Sequence, residues 1–130
     1  MANGEGSATT VRAVTDIEDL TARIRAFSDA RSWERFHTPK NLAMALAGEA
    51  GELLAELQWL TDEEITAGMS EADLRERVRM EVADVFMYLL RFADVTGIDL
   101  AQATLDKLAR NELRYPVDKS RGNSSKYDQL

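Results

Sequence analysis

Several residue types that protein chemistry often depends on are missing or scarce in this sequence. Cysteine is absent, which excludes disulfide scaffolds, cysteine nucleophiles and thiolate metal sites. The single histidine, His37, is too few for a histidine-rich zinc or di-iron site. No apolar run approaches the roughly 18 residues that a membrane-spanning helix requires. We therefore expect a protein without a membrane partner and without thiolate or histidine-rich metal chemistry.

Basic side chains are also in short supply. The chain has 16 Lys and Arg against 23 Asp and Glu, a formal charge of -7. A general nucleic-acid-binding surface needs a basic footprint, so this balance argues against a nucleic-acid partner. It still permits a phosphate-bearing ligand, because a divalent cation can lie between acids and phosphates. Residues 1–10 are small and polar, unlike a signal peptide, and we expect a cytoplasmic protein.

What the sequence does contain is helical periodicity. In four segments, apolar residues recur at helical spacings, and no run of β-branched residues alternates with polar ones. The length predicts one domain, which we place at residues 15–116, between flexible segments at 1–14 and 117–130, the latter a basic tail. The link at 61–69 has room for a short turn. The predicted helices cover residues 16–31, 39–60, 71–96 and 99–114.

Two pairs of acids lie on the second and third predicted helices. Glu49 and Glu52 are three residues apart, as are Glu81 and Asp84, so each pair lies on one face of its helix. Facing each other at about 7 Å, four carboxylates would repel by on the order of 10 kcal/mol at an effective dielectric of about 20. Protons, water or cations must relieve this repulsion. Oxygen ligands at this density suit Mg²⁺ or Mn²⁺, and a polyphosphate is the natural substrate.

Other interpretations of the acids compete with a metal site. One acidic pair on a helix is usually solvated surface, and di-iron bundles need Glu-x-x-His pairs that this sequence lacks. An acidic helical module that binds a basic partner and a purely structural four-helix oligomer both stay open. An interaction module would expose its acids on a polar face, whereas these acids border leucines and valines, which favours a cleft.

The acids and their surroundings resemble a known family. Glu49-x-x-Glu52, followed after 28 residues by Glu81-x-x-Asp84, is similar to the ExxE…ExxD signature of the MazG-like all-α nucleoside triphosphate pyrophosphohydrolases. The dCTP pyrophosphatase branch is the closer match, and the resemblance runs from about Ile24 to the end of the chain. Beyond the acids it is carried by residues 33–42, 48–53, 58–59, 111–116 and 125–127.

The resemblance implies a fold and an activity. The fold would be a four-helix MazG-like bundle, assembled as a homodimer or a dimer of dimers. The activity would be Mg²⁺-dependent hydrolysis of a deoxynucleoside triphosphate, dCTP or a modified dCTP, to the monophosphate and pyrophosphate, with water attacking the α-phosphorus. Glu49, Glu52, Glu81 and Asp84 would hold the metal, Mg²⁺ or else Mn²⁺. Glu52 is also a candidate to orient or deprotonate the water.

The same resemblance implies the aromatic residues that bind substrate. Trp33, Trp59 and Tyr88 match family positions around the base and sugar. Tyr88 lies one turn beyond Asp84, and Trp59 lies seven residues after Glu52, so both share a face with acids. Without the family, ordinary core packing is the alternative for these two.

Polar residues are implied as well. Lys107, Asn111 and Arg114 form one helical stripe and match positions that contact phosphates or complete the site, with a solvated face as the alternative. Lys126, in the tail, is a candidate to close over the triphosphate. His37 is a candidate ligand contact, although ordering the loop before the second helix is its more natural role.

One position departs from the branch. Ile24 stands where the dCTP branch carries a histidine near the substrate, so broad dNTP pyrophosphohydrolysis is the alternative to dCTP specificity. Oligomerisation is expected from the residues too, because helices apolar on several sides are hard to cover with four helices alone.

Overall fold

The computed structural model describes residues 16–130, so the predicted flexible segment 1–14 lies outside the described residues. Within this range every regular element is helical and none is a strand, which confirms the all-α prediction. The chain divides into two compact units, the first ending at Gly97 and the second covering Ile98–Leu130. The single domain expected at 15–116 stays a prediction.

The four long helices lie where the sequence predicts them, with ends that differ by at most three residues. A short helix occupies the predicted link at 61–69, and another lies in the tail. The described helices are α1 Ile17–Asp29, α2 Pro39–Leu57, α3 Asp62–Gly68, α4 Ala72–Thr96, α5 Leu100–Arg114 and α6 Val117–Ser120, with 3₁₀ turns at Glu34–Phe36 and Tyr127–Gln129.

Local chemistry sets the ends of the helices that carry the acids. Thr38 caps α2, because its hydroxyl accepts a hydrogen bond from the Asn41 N–H at 3.2 Å. Pro39 follows at the first helical position, where its missing N–H costs nothing. Gly97 ends α4 in the left-handed conformation, at φ 71°, which favours glycine. These signals fix where each helix starts or stops, and so where its acids lie.

The core of the first unit is centred on α4, which packs most extensively on α2 and also on α1 and α3. Leu42 of α2 and Leu90 of α4 are fully buried. Burying one leucine side chain contributes about 1.5–3 kcal/mol. Leu74, Val78 and Ala93 extend this core along α4. The packing of α2 on α4 therefore decides which other faces of the two helices meet.

Large apolar side chains stay exposed on the same two helices. Met44 and Leu54 of α2 and Val82 and Phe86 of α4 are among them.

In the part of the chain that the structure describes, none of the helices combines the length and apolarity needed to cross a bilayer.

Candidate active site

The packing of α2 on α4 brings three of the four predicted acids together. Glu49 from α2 and Glu81 and Asp84 from α4 each offer a carboxylate oxygen, and these oxygens lie within 4.8 Å of one another. All three residues are half-buried. We call them the carboxylate triad. Glu52 is exposed and lies outside the triad, so its role in metal binding or catalysis stays a prediction.

The triad gathers carboxylates that no Lys or Arg within residues 16–130 pairs with. Burial raises the pKa of Glu81, and the charges of Asp84, Glu49 and Glu52 raise it further. Among the ion pairs within residues 16–130, none involves a triad member. Three close carboxylates without a Lys or Arg partner are the oxygen donor set that a hard divalent cation prefers. The residues present therefore fit a divalent metal.

A cavity of about 150 Å³ adjoins the triad. Glu49 and Asp84 contribute to its wall. So do Trp33, His37 and Tyr88, three of the residues predicted to contact substrate. The remaining lining residues are Ile24, Phe27, Ser28, Met87 and Arg91. Acids that border such a cavity do not form the exposed polar face that an interaction module would present.

Aromatic contacts hold the wall formed by the loop between α1 and α2. The Trp33 ring stands edge-on to Phe27, with centroids 5.7 Å apart. It also meets the His37 ring edge-on at 6.2 Å. Such edge-to-face pairs stabilise by about 0.5–1.5 kcal/mol beyond their buried area. Phe27 was not predicted as a site residue, although it lies three residues after Ile24 on the same face of α1.

The structure also reveals a polar network at this cavity that the sequence analysis missed. Arg91 is only 6% exposed; its Nε donates to His37 Nδ1 at 3.0 Å and its Nη1 to Asp94 Oδ2 at 2.9 Å. Arg25 of α1 donates to both oxygens of Asp94, at 2.6 and 2.9 Å. The Arg25 hydrogen bonds, together with the charges of Arg25 and Arg91, lower the pKa of Asp94 against the opposing effect of burial.

A sequence signal for Arg91 existed. Glu81, Asp84, Tyr88 and Arg91 follow one another at spacings of three, four and three, which is one stripe of α4. The predicted site residues on this stripe end at Tyr88. The partner of Arg91, His37, lies 54 positions away in sequence, and no local pattern reveals that contact.

Other predicted residues lie elsewhere. Trp59 follows the end of α2, is 86% exposed, and does not line the cavity of the first unit. In the second unit, Lys107 and Asn111 border a shallow depression on α5. Arg114 covers the ring of Tyr127, at 4.8 Å from its centroid, and Lys126 directly precedes that tyrosine. The substrate-binding roles of these residues stay predictions.

The geometry thus defines an all-α protein with a carboxylate site between two helices, and comparison with known proteins gives its family. The model of the MazG-like family matches residues 45–130. The chain is 42% identical over 116 residues to dCTP pyrophosphatase 1 of Bos taurus, covering 88% of this chain and 68% of that protein. It is 40% identical over 116 residues to dCTP pyrophosphatase 1 of Homo sapiens, covering 88% and 67%.

A solved structure agrees with these relatives. The crystal structure of a pyrophosphatase from Archaeoglobus fulgidus superimposes with a TM-score of 0.72 at 38% identity, covering 77% of this chain and 92% of that one. The chain belongs to the MazG-like family. The resemblance read from the acidic signature is thereby confirmed.

Proposed function

We propose that this MazG-like nucleoside triphosphate pyrophosphohydrolase acts on dCTP or a modified dCTP, releasing the monophosphate and pyrophosphate with Mg²⁺. The observation that carries the proposal is the carboxylate triad beside an aromatic-lined cavity of about 150 Å³. The relatives named dCTP pyrophosphatase 1, at 39–42% identity, support the choice of substrate.

Each part of the site has a separate task in this reaction. Glu49, Glu81 and Asp84 would hold Mg²⁺, or Mn²⁺, through their carboxylate oxygens. The cation supplies activation of water and charge neutralisation of the leaving pyrophosphate. Glu52 is exposed, yet close enough for its charge to raise the pKa of Glu81. A free carboxylate at that position is suited to orient the attacking water and accept its proton.

The cavity wall is suited to the nucleobase. Trp33 and Tyr88 offer aromatic surface, and stacking on a base contributes about 1–3 kcal/mol per contact. Because this interaction is equal in the ground and transition states, it lowers KM more than it changes kcat. Ile24 makes part of the wall apolar where the dCTP branch carries a histidine. Broad dNTP use is therefore the alternative to a preference for dCTP.

We also propose a homo-oligomer, a dimer or a dimer of dimers, supported by exposed apolar residues on α2 and α4 and by Trp59 just after α2. Leu54 is 59% exposed and Trp59 86% exposed on the described chain. Single exposed apolar residues are common, but several on adjoining helices are typical of a surface that a partner covers. A second copy would give Trp59 a neighbour, and with it a route to the base that the first unit alone does not provide.

A substrate panel tests this function directly. We expect kcat/KM with Mg²⁺ to be highest for dCTP or a modified dCTP among the canonical and modified deoxynucleoside triphosphates. A purine nucleotide as best substrate would remove the pyrimidine preference and leave the metal site in place. Failure to hydrolyse any triphosphate at saturating Mg²⁺ would remove the activity itself.

A further inference from the structure

The contact between Arg91 and His37 determines where the imidazole carries its proton. An arginine N–H can only donate a hydrogen bond, so His37 Nδ1, 3.0 Å from Arg91 Nε, must be the acceptor. A neutral imidazole that accepts at Nδ1 has its proton on Nε2. The hydroxyl of the buried Ser28 also lies near Nδ1, at 3.4 Å, where it shares the single acceptor lone pair with the closer Arg91.

The surroundings favour the neutral form of the imidazole. Burial lowers the pKa of His37 and the charge of Arg91 lowers it further, while Glu34 opposes them. Within residues 16–130, Nε2 forms no hydrogen bond, since both bonds of the ring are made by Nδ1. His37 lines the cavity together with Ile24 and Met87. The ring therefore has one N–H donor that no acceptor within residues 16–130 satisfies, and the ring forms part of a partly apolar wall.

We propose that Arg91 is a positioning residue that holds His37 as its Nε2–H tautomer, so that the cavity offers one fixed hydrogen-bond donor to an acceptor on the nucleobase. The acceptor is a carbonyl oxygen or an unprotonated ring nitrogen. A ligand without an acceptor there would leave a desolvated N–H unpaired, which disfavours its binding. The identity of the ligand rests on the proposed function, whereas the tautomer does not.

A purely structural role for Arg91 is the competing explanation. Arg91 and Arg25 both pair with Asp94, but only Arg91 contacts His37. Arg25→Met is therefore a matched control, because it removes a cation from Asp94 without touching the imidazole. A structural role predicts the same consequences from Arg25→Met and Arg91→Met, whereas a positioning role separates them.

The first experiment determines the tautomer by nitrogen-15 NMR of ligand-free protein labelled at histidine. His37 is the only histidine, so the signals need no assignment. We expect wild type and Arg25→Met to show an unprotonated Nδ1 and a protonated Nε2, and Arg91→Met to show mixed tautomers or a shift toward Nδ1–H. A protonated Nδ1 in the wild type overturns the proposal, as does an unchanged tautomer in folded Arg91→Met. If Arg91→Met does not fold, Arg91→Gln replaces it, because an amide can either donate to Nδ1 or accept from it, and mixed tautomers are again expected.

The second experiment separates the Nε2 donor from the rest of the ring. In His37→Asn the amide oxygen can still accept from Arg91, but no donor reaches the Nε2 position. In His37→Gln the longer side chain returns an N–H to about that position. We expect His37→Asn to raise KM for dCTP roughly 10-fold with kcat little changed, as for the loss of one hydrogen bond, and His37→Gln to recover most of this loss. Equal KM values for the two variants, at equal melting temperatures, overturn the donor role.

Failure of the proposed function is distinguishable from failure of this inference. If the wild type has the Nε2–H tautomer but hydrolyses no triphosphate, the proposed activity and the hydrogen bond to a nucleobase are both wrong. The positioning of His37 by Arg91 is still supported in that case. If the enzyme releases pyrophosphate from dCTP with His37 in the Nδ1–H form, the proposed activity is supported and the positioning role of Arg91 is wrong.

Discussion

At the scale of single residues, the acids of the site differ in environment although they share a signature. Glu49, Glu81 and Asp84 are half-buried and close together, whereas Glu52 is exposed. The sequence predicts all four as one group, because spacing reveals the helix face but not the depth of each side chain. Depth depends on how α2 and α4 pack, and that is a tertiary property.

Replacing any one of these four acids with its amide should reduce turnover by at least about 100-fold, since each change removes charge from a cation whose stabilisation of the transition state contributes several kcal/mol. Glu76→Gln is the matched control, because Glu76 lies on an exposed part of α4 and pairs with Arg79, away from the triad; it should keep near-normal activity. Steady-state kinetics with dCTP and Mg²⁺ check this. Near-normal activity in two or more of the four variants would show that the metal assignment is wrong.

Glu81→Gln should lower activity but should not lower the stability of the metal-free protein. Because burial and, in addition, neighbouring carboxylates raise the pKa of Glu81, its charge opposes folding at neutral pH. Glu81→Gln should therefore melt at the same or a higher temperature than wild type in EDTA. A clear decrease in melting temperature would mean that Glu81 has a stabilising partner within the protein.

Asp94 gives a pH dependence of the other sign. Its pKa is lowered in the folded state by Arg25 and Arg91, so its contribution to stability is present above the usual Asp pKa and is lost as pH falls through the lowered one. Asp94→Asn should cost about 1–3 kcal/mol of unfolding free energy near pH 7, as for a hydrogen bond to a charged group. The difference from wild type should shrink below about pH 4. Denaturant unfolding at several pH values measures both, and a constant difference across pH would contradict the assignment.

At the scale of elements, the helices could be predicted well and the contacts between them could not. The caps at Thr38 and Gly97 and the 3.6-residue periodicity are local, so the sequence places the four long helices within three residues. The contact of Arg91 with His37 joins α4 to the loop before α2, and nothing within either segment reveals the other. The triad could be predicted because α2 and α4 each carry a pair of acids three residues apart.

The loop between α1 and α2 should form one wall of the nucleobase-binding site, with Trp33 stacking on the base. Trp33→Ala is expected to raise KM for dCTP by roughly 10- to 100-fold, from a loss of about 1–3 kcal/mol of stacking, with a smaller change in kcat. Phe36→Ala in the same loop is the control, because Phe36 does not line the cavity. Unchanged KM in Trp33→Ala would place the base elsewhere.

At the scale of the whole molecule, the exposed apolar residues of α2 and α4 bear on the oligomeric state. Sedimentation should show the enzyme as a homodimer or a dimer of dimers. Leu54→Glu, which puts a charge into the apolar surface, should shift it toward monomer, whereas Lys40→Glu at the exposed start of the same helix should not. A wild-type monomer at micromolar concentration would contradict this. If Trp59 reaches the base only from a second copy, Leu54→Glu and Trp59→Ala should raise KM alike.

In the proposed reaction, water attacks the α-phosphorus of a deoxynucleoside triphosphate at the carboxylate triad. The most direct test is hydrolysis of dCTP in oxygen-18 water with Mg²⁺, with products resolved by phosphorus NMR and mass spectrometry. We predict equal amounts of dCMP and pyrophosphate, with the heavy oxygen in dCMP. Orthophosphate with dCDP, or the heavy oxygen in pyrophosphate, would show that water attacks a phosphorus other than the α-phosphorus.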